Sequence, residues 1–230
     1  MPGLAANALS PDVGTNVSEF YCRRAQGFLG LSASRANWRF EDFFSGGQFE
    51  LILSAPATFN AQPSQDGGQL SLTGGDGVSL GIAECVSRRT NSQAPIHVAN
   101  IKTSKWYCVM RFKITVNPPS GGQMVGMSPF SFDATAGVYG TTSTTKYSFT
   151  TTNTTILSTV SIDTAMHVVE VWNDTANVYL SVDSEKPVSG AVTNLATSAD
   201  EFELYVRAGA VVPAQTGIFD FFGIMTGQGS

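Results

Sequence analysis

Side chains able to do covalent or acid–base chemistry are few in this chain. It holds 2 histidines, His97 and His167. A nucleophilic triad needs one of them oriented beside a serine or cysteine, and no Gly-x-Ser-x-Gly elbow accompanies either. His167 follows Asp163-Thr164-Ala165-Met166 and opens an alternating run, so a hydrogen-bonded histidine at a strand start is the expectation. The 3 cysteines, Cys22, Cys85 and Cys108, have neither disulfide-framework nor zinc spacing and read as small buried hydrophobes. Carboxylates that could pair for glycoside hydrolysis are Glu41 with Asp42, Glu201 with Glu203, and Glu170 with Asp183. Turn aspartates Asp76, Asp174 and Asp183 are better explained by local backbone hydrogen bonds than by calcium. Gly74-Gly75-Asp76-Gly77 lacks the lysine and hydroxyl of a phosphate loop. The expectation is therefore a protein that is not an enzyme and holds no metal or cofactor.

The elements that position these groups are strands. Trp106, Cys108, Met110, Phe112, Ile114 and Val116 alternate with Tyr107, Arg111, Lys113 and Thr115, which describes a half-buried antiparallel strand. Asn117-Pro118-Pro119-Ser120-Gly121-Gly122 ends it. Further strands are expected at 49–53, 70–72, 78–82, 167–172, 177–183, 202–206 and 218–225. Gly74–Gly77 and Asn173–Ala176 read as hairpin turns between the strands that flank them. Residues 33–44 fit a strand slightly better than a short helix. Thr141–Thr155, in which 9 of 15 residues are threonine, reads as an edge strand or a long exposed hairpin.

Composition narrows the class. Charged residues make up 13% of the 230, about half the usual share, while 42% are hydrophobic. That combination excludes a disordered chain. The net charge of −5 argues against a nucleic-acid partner. Residues 1–115 carry 10 Lys/Arg against 8 Asp/Glu, and residues 116–230 carry 3 against 10, so the acidity lies in the second half. No long apolar run or basic leader suggests a membrane span or a secretory signal. The fold expected is all-β: an antiparallel sandwich or jelly roll over residues 19–230, preceded by an N-terminal arm, 1–18.

The segment His167-Val-Val-Glu-Val-Trp172, then Asn173-Asp174, then Val178-Tyr-Leu-Ser-Val-Asp183 resembles the laminin-G-like members of the concanavalin A-like lectin/glucanase superfamily. Phe202-Glu-Leu-Tyr-Val-Arg-Ala-Gly209 and Ile218-Phe-Asp-Phe-Phe222 are similar to its later strands. The resemblance implies a jelly roll of two antiparallel sheets. The Glu-x-Asp-x-x-Glu strand of the family's glucanases is absent, and Asp183 is followed by Ser184-Glu185 rather than glycine. Similar sandwiches, rich in Gly, Ser and Thr, look like decoration or fibre proteins of tailed-phage virions. By that likeness the expected role is a structural virion surface protein, made in a host cytoplasm. It would be homo-oligomeric and bound to the major shell protein, without nucleic-acid or membrane partners. The alternative is a non-catalytic carbohydrate-binding module. Its candidate sugar contacts are Tyr107, Tyr139, Tyr147 and Tyr179, which alternate away from the apolar faces.

Overall fold

The structure, a computed structural model, describes residues 16–32, 36–42, 50–54, 58–64, 67–74, 81–86, 102–115, 123–130, 134–140, 146–151, 155–194, 203–208 and 215–227. One helix, α1 (Val17–Leu29), precedes fifteen strands: β1 (Ala36–Glu41), β2 (Glu50–Ser54), β3 (Thr58–Ser64), β4 (Gly67–Gly74), β5 (Gly81–Val86), β6 (Trp106–Ile114), β7 (Gln123–Phe130), β8 (Ala134–Gly140), β9 (Lys146–Thr151), β10 (Thr155–Ser161), β11 (His167–Asn173), β12 (Asn177–Val182), β13 (Val188–Ala191), β14 (Glu203–Ala208) and β15 (Gln215–Gly227). They form two antiparallel sheets packed face to face, the jelly-roll class of sandwich. The first runs β13-β12-β11-β6-β15-β4-β3, with β1 also paired to β15. The second runs β10-β9-β8-β7-β14-β5-β2.

Alternation builds the core between the sheets. The even-numbered residues of β6, from Trp106 to Ile114, face inward and are buried with Val169, Val171, Leu180, Phe219, Phe222 and Ile224 of their own sheet. Val125, Met127, Tyr147, Phe149 and Ile156 meet them from the other sheet. Each large side chain so buried contributes roughly 1.5–3 kcal/mol. A bulge between Phe219 and Phe221 lets β15 hold register with β6 although its inward residues change parity. Before the bulge Phe219 faces the core; after it Phe222 and Ile224 do, and Phe221 turns outward.

The outward face of the first sheet is also buried, because α1 lies across it. Asn16 caps the helix, its Oδ1 accepting from the backbone N–H groups of Ser18 and Glu19 at 2.9 and 3.3 Å. Gly30, at φ +60°, ends it in the left-handed conformation that glycine adopts without strain. The rows Val17-Tyr21-Ala25-Leu29 and Phe20-Arg24-Phe28 recur every four residues and face the sheet. Tyr21, Ala25 and Leu29 pack with Tyr107, Val109, Trp172, Phe221 and Met225 in a second apolar core, with Trp38 and Phe40 of β1 at its border.

Several expectations change here. The strand at 106–116 is buried on both faces through its first half rather than on one, since α1 covers Tyr107 and Val109. The strands on either side of Gly74–Gly77 do not pair with each other: β4 pairs with β3 and β15, whereas β5 pairs with β14 and β2 in the opposite sheet, and residues 75–80 lie outside the described residues. The hairpin at Asn173–Ala176 stands, joining β11 to β12. Residues 36–41 form a strand. Within the threonine-rich segment, β9 is no edge strand but lies between β8 and β10; residues 141–145 lie outside the described residues. Asn16, Val17 and Ser18 belong to α1 and its cap instead of to an arm, and residues 1–15 lie outside the described residues.

Close approach at Gly223 gives a test. A Cβ there would sit 2.5 Å from Cη2 of Trp38 and 3.0 Å from Cγ1 of Val109. Gly223→Ala is expected to cost about 1–3 kcal/mol through overpacking, read as a lower denaturation midpoint. An unchanged midpoint would show that Trp38 gives way freely.

Candidate functional site

Beneath α1 lies a buried polar triad. Glu170 of β11 is 1% exposed, on the sheet face opposite the inter-sheet core. Arg24 of α1 reaches down to it with Nε donating to Oε1 at 2.5 Å and Nη2 to Oε2 at 2.8 Å. The Tyr107 hydroxyl donates to the same carboxylate at 2.6 Å. This forked geometry is the strong form of a carboxylate–guanidinium pair. Burial pushes the Tyr107 hydroxyl well above the usual tyrosine range, and the Glu170 charge adds to it, so it stays a donor. Burial opposes the Arg24 charge, but the hydrogen bonding and charge of Glu170, with the nearby Tyr107 and Tyr21, together outweigh it and raise its pKa. Glu170 is thus held by Arg24 and Tyr107.

Asp183 belongs to a second cluster. His167 opens β11, as expected, and both ring nitrogens have carboxylate partners: Nδ1 with Asp183 Oδ2 at 2.5 Å and Nε2 with Asp163 Oδ1 at 2.8 Å. Asp183 Oδ1 also accepts from the Val168 N–H at 2.9 Å, and the ring lies 4.9 Å from that of Tyr147. The clasp ties the β10–β11 loop to the turn after β12, where Asp183 and Ser184 hold φ of +50° and +63°. Burial works against the His167 charge, but its two aspartate partners outweigh burial and raise its pKa. Hydrogen bonding to His167 in turn lowers the pKa of Asp163. Among the described residues no group of three or more His, Cys, Asp or Glu is placed to hold a metal ion. His97 lies outside the described residues.

The four tyrosines named as sugar contacts go to different places. Tyr107 and Tyr147 are both 0% exposed, one under α1 and one between the sheets, so neither ring faces solvent. Alternation put both on polar faces; a helix over one face and the inward turn of β9 account for their burial. Tyr139 stands opposite Met124 in β8, its side chain outside the described residues. Tyr179 reaches the surface, partly exposed. Its ring stacks on Trp172 at 5.1 Å and 11°, and Trp172 stacks on Phe28 of α1 at 4.2 Å and 3°. The Tyr179 hydroxyl donates to Asp174 Oδ2 at 3.0 Å. Sequence reading missed the ladder because it placed no element at 17–29, although Asn16 and Gly30 mark the ends of a helix there.

The hairpin that carries Asp174 is held from below. Asn173 is fully buried; its Nδ2 donates to the carbonyls of Ser104 and Lys102 at 3.2 and 3.4 Å, and its Oδ1 accepts from Thr175 N at 2.7 Å. Asp174 Oδ1 accepts from the N–H groups of Ala176 and Asn177, each at 2.8 Å. Asn16 and Asn173 thus serve as a helix cap and a buried turn anchor.

Two outcomes follow. Arg24→Ala leaves Glu170 buried beside no cation and is expected to cost roughly 3–5 kcal/mol; Arg24→Ala combined with Glu170→Gln should recover part of it, and chemical denaturation of both variants reads the difference. The clasp predicts a pH effect of definite sign. A histidine whose folded pKa is raised stabilises fully below its unfolded value, about 6.5, and loses that contribution as pH climbs through the folded value. The unfolding midpoint should therefore fall between pH 6 and 8, and less so in His167→Gln. A midpoint that rises over this range contradicts a charged clasp.

No protein-family model matches the chain, and neither does any curated protein. Solved structures do match in fold. A protein of unknown function, SO2946 from Shewanella oneidensis MR-1, superposes with a TM-score of 0.53 at 12% identity, over 93% of this chain and 95% of that one. The alginate lyase AlgAT5 of polysaccharide lyase family 7 gives 0.55 at 10% identity, over 83% and 94%. The cellulose induced protein Cip1 gives 0.54 at 13% identity, over 81% and 96%. At such identities the likeness is one of architecture: this chain has the antiparallel jelly-roll sandwich common to them.

Proposed function

We propose that this chain is a non-catalytic carbohydrate-binding sandwich whose contact ring is Tyr179. The observation that carries the reading is the stacked ladder Phe28–Trp172–Tyr179, which begins at the helix and ends on a partly exposed ring. A pyranose packs its C–H face on an aromatic ring and offers its hydroxyls to polar groups at the ring's edge. Tyr179 supplies the ring, already stacked on Trp172, which is itself backed by Phe28, so little side-chain freedom is lost on binding. Asp174 supplies an acceptor beside it. Ser189 of β13 stands opposite Tyr179 in register and is exposed. The non-catalytic half of the proposal draws support from the committed state of the ionisable clusters: Glu170 is held by Arg24 and Tyr107, and His167 by two aspartates. That neighbours of this fold include an alginate lyase and a cellulose induced protein agrees with a carbohydrate ligand. The virion-surface role expected from the likeness to phage sandwiches draws no support from the described residues.

A glycan array followed by calorimetry tests the proposal. Tyr179→Ala is expected to weaken the best ligand at least about tenfold, the size of one aromatic contact, while Tyr179→Phe keeps most of the affinity. Absence of any glycan ligand, or equal affinity in Tyr179→Ala, rejects it.

A further inference from the structure

The charge around the Tyr179 ring carries a statement about ligand class. Asp174 is the ionisable group at the ring's edge. Its Oδ1 is occupied by the N–H groups of Ala176 and Asn177, and its Oδ2 receives one hydrogen bond, from the Tyr179 hydroxyl. An ionised carboxylate accepts and never donates. Burial alone would raise the Asp174 pKa, but these backbone and tyrosine hydrogen bonds outweigh it and lower it, so the group is anionic at neutral pH. Lys105 is the cation whose field reaches Asp174, yet its Nζ is held 2.7 Å from the Leu29 carbonyl at the end of α1. On β13, the positions opposite Tyr179 and Asn177 are the exposed, uncharged Ser189 and Ala191. The hairpin's remaining surface residues, Thr175 and Ala176, are uncharged as well.

We infer that the Tyr179 site takes uncharged or amino-bearing glycans and discriminates against uronate- or sialate-bearing ones. The inference rests on the carbohydrate reading above and narrows it. A sugar hydroxyl or ammonium can donate to the remaining lone pair of Asp174 Oδ2. A sugar carboxylate stacked on the same ring meets a like charge within a few ångströms, an unfavourable contact that salt screens only in part. The sign is opposite to that needed for an anionic polysaccharide.

Three hexasaccharides of matched length serve as probes: cellohexaose, a glucosamine hexamer and a hexamannuronate. Each is titrated into the wild type, Asp174→Asn and Tyr179→Ala, at low and high ionic strength. Asparagine keeps the side-chain carbonyl that accepts from Ala176 and Asn177, so the turn survives while the charge goes. The expected result is that cellohexaose or the glucosamine hexamer binds about tenfold more tightly than hexamannuronate. That gap should narrow in Asp174→Asn, and Tyr179→Ala should lose all binding. The salt dependence of the wild type reads the same term without a mutation: added salt should narrow the gap. Hexamannuronate binding as tightly as the others, yet still lost in Tyr179→Ala, overturns the charge inference and leaves the ring reading standing. If no probe binds, or Tyr179→Ala binds as the wild type does, the ring reading falls and the inference with it.

Discussion

A carboxylate placed in the middle of a buried sheet face has to be given a cation, and much of this molecule follows from how Glu170 gets one. The strand partners on either side of β11 supply none: Tyr107 offers only a hydroxyl, and Ser181 none of the needed charge. The guanidinium comes from Arg24, more than a hundred residues away in sequence, on a helix that must lie flat across β11, β6 and β15 to deliver it. Hydrophobic burial beneath α1 supplies the larger stabilisation, but it is indifferent to small shifts of the helix. A forked pair at 2.5 and 2.8 Å is not, so it sets where the helix sits.

Once Arg24 is placed, the next turn of the helix is placed too. Phe28 lies under the Arg24 guanidinium, 4.9 Å from it, and stacks on Trp172. Trp172 in turn supports Tyr179. The surface ring is thus the end of a chain of contacts that starts at a buried charge: Glu170, Arg24, Phe28, Trp172, Tyr179. The positions of α1 and of the Tyr179 ring are coupled through it, because loosening the helix removes Phe28 from against Trp172. The His167 clasp sits on the same strand pair, at the other end of β11, and holds the turn after β12. The two polar clusters therefore pin β11 at its middle and at its start, one from the helix side and one from the loop side.

How far this was legible in the sequence depends on what each signal reports. Period-two alternation marks a strand, and it marked β6, β11, β12 and β15 well. It does not say whether the second face meets water or a helix. Tyr107 and Val109 on the supposedly solvent face of β6 were the trace of α1, and the missing element lay between Asn16 and Gly30, where a cap, a four-residue apolar row and a glycine stop coincide. Glycine-rich turn chemistry has the same limit. It predicts a reversal of chain direction, and β4 and β5, on either side of Gly74–Gly77, lie in different sheets instead of pairing with each other. The Asn173–Ala176 hairpin succeeded because its flanks are complementary over five register pairs. Alternation alone could not rank the four tyrosines; burial under α1 and between the sheets separates Tyr107 and Tyr147 from the partly exposed Tyr179, and the Tyr139 side chain lies outside the described residues.

The position of β15 has a consequence for how the chain comes to be folded. It follows every other strand in sequence, yet it lies in the middle of the first sheet, with β6 along one edge and β4 and then β1 along the other. As the polypeptide leaves the ribosome, β1, β4 and β6 emerge well before the strand that joins them. Until residues 215–227 are made, Phe221 and Met225 are missing from the core beneath α1, and the edge of β6 that will hold β15 stays open. The sheet cannot assemble in the order of synthesis. Closure waits for a contact about a hundred residues long in sequence, which is the kind that slows folding and leaves open edges exposed to neighbouring nascent chains. Whatever keeps this sandwich from aggregating in a cell must act in that interval, before the central strand arrives.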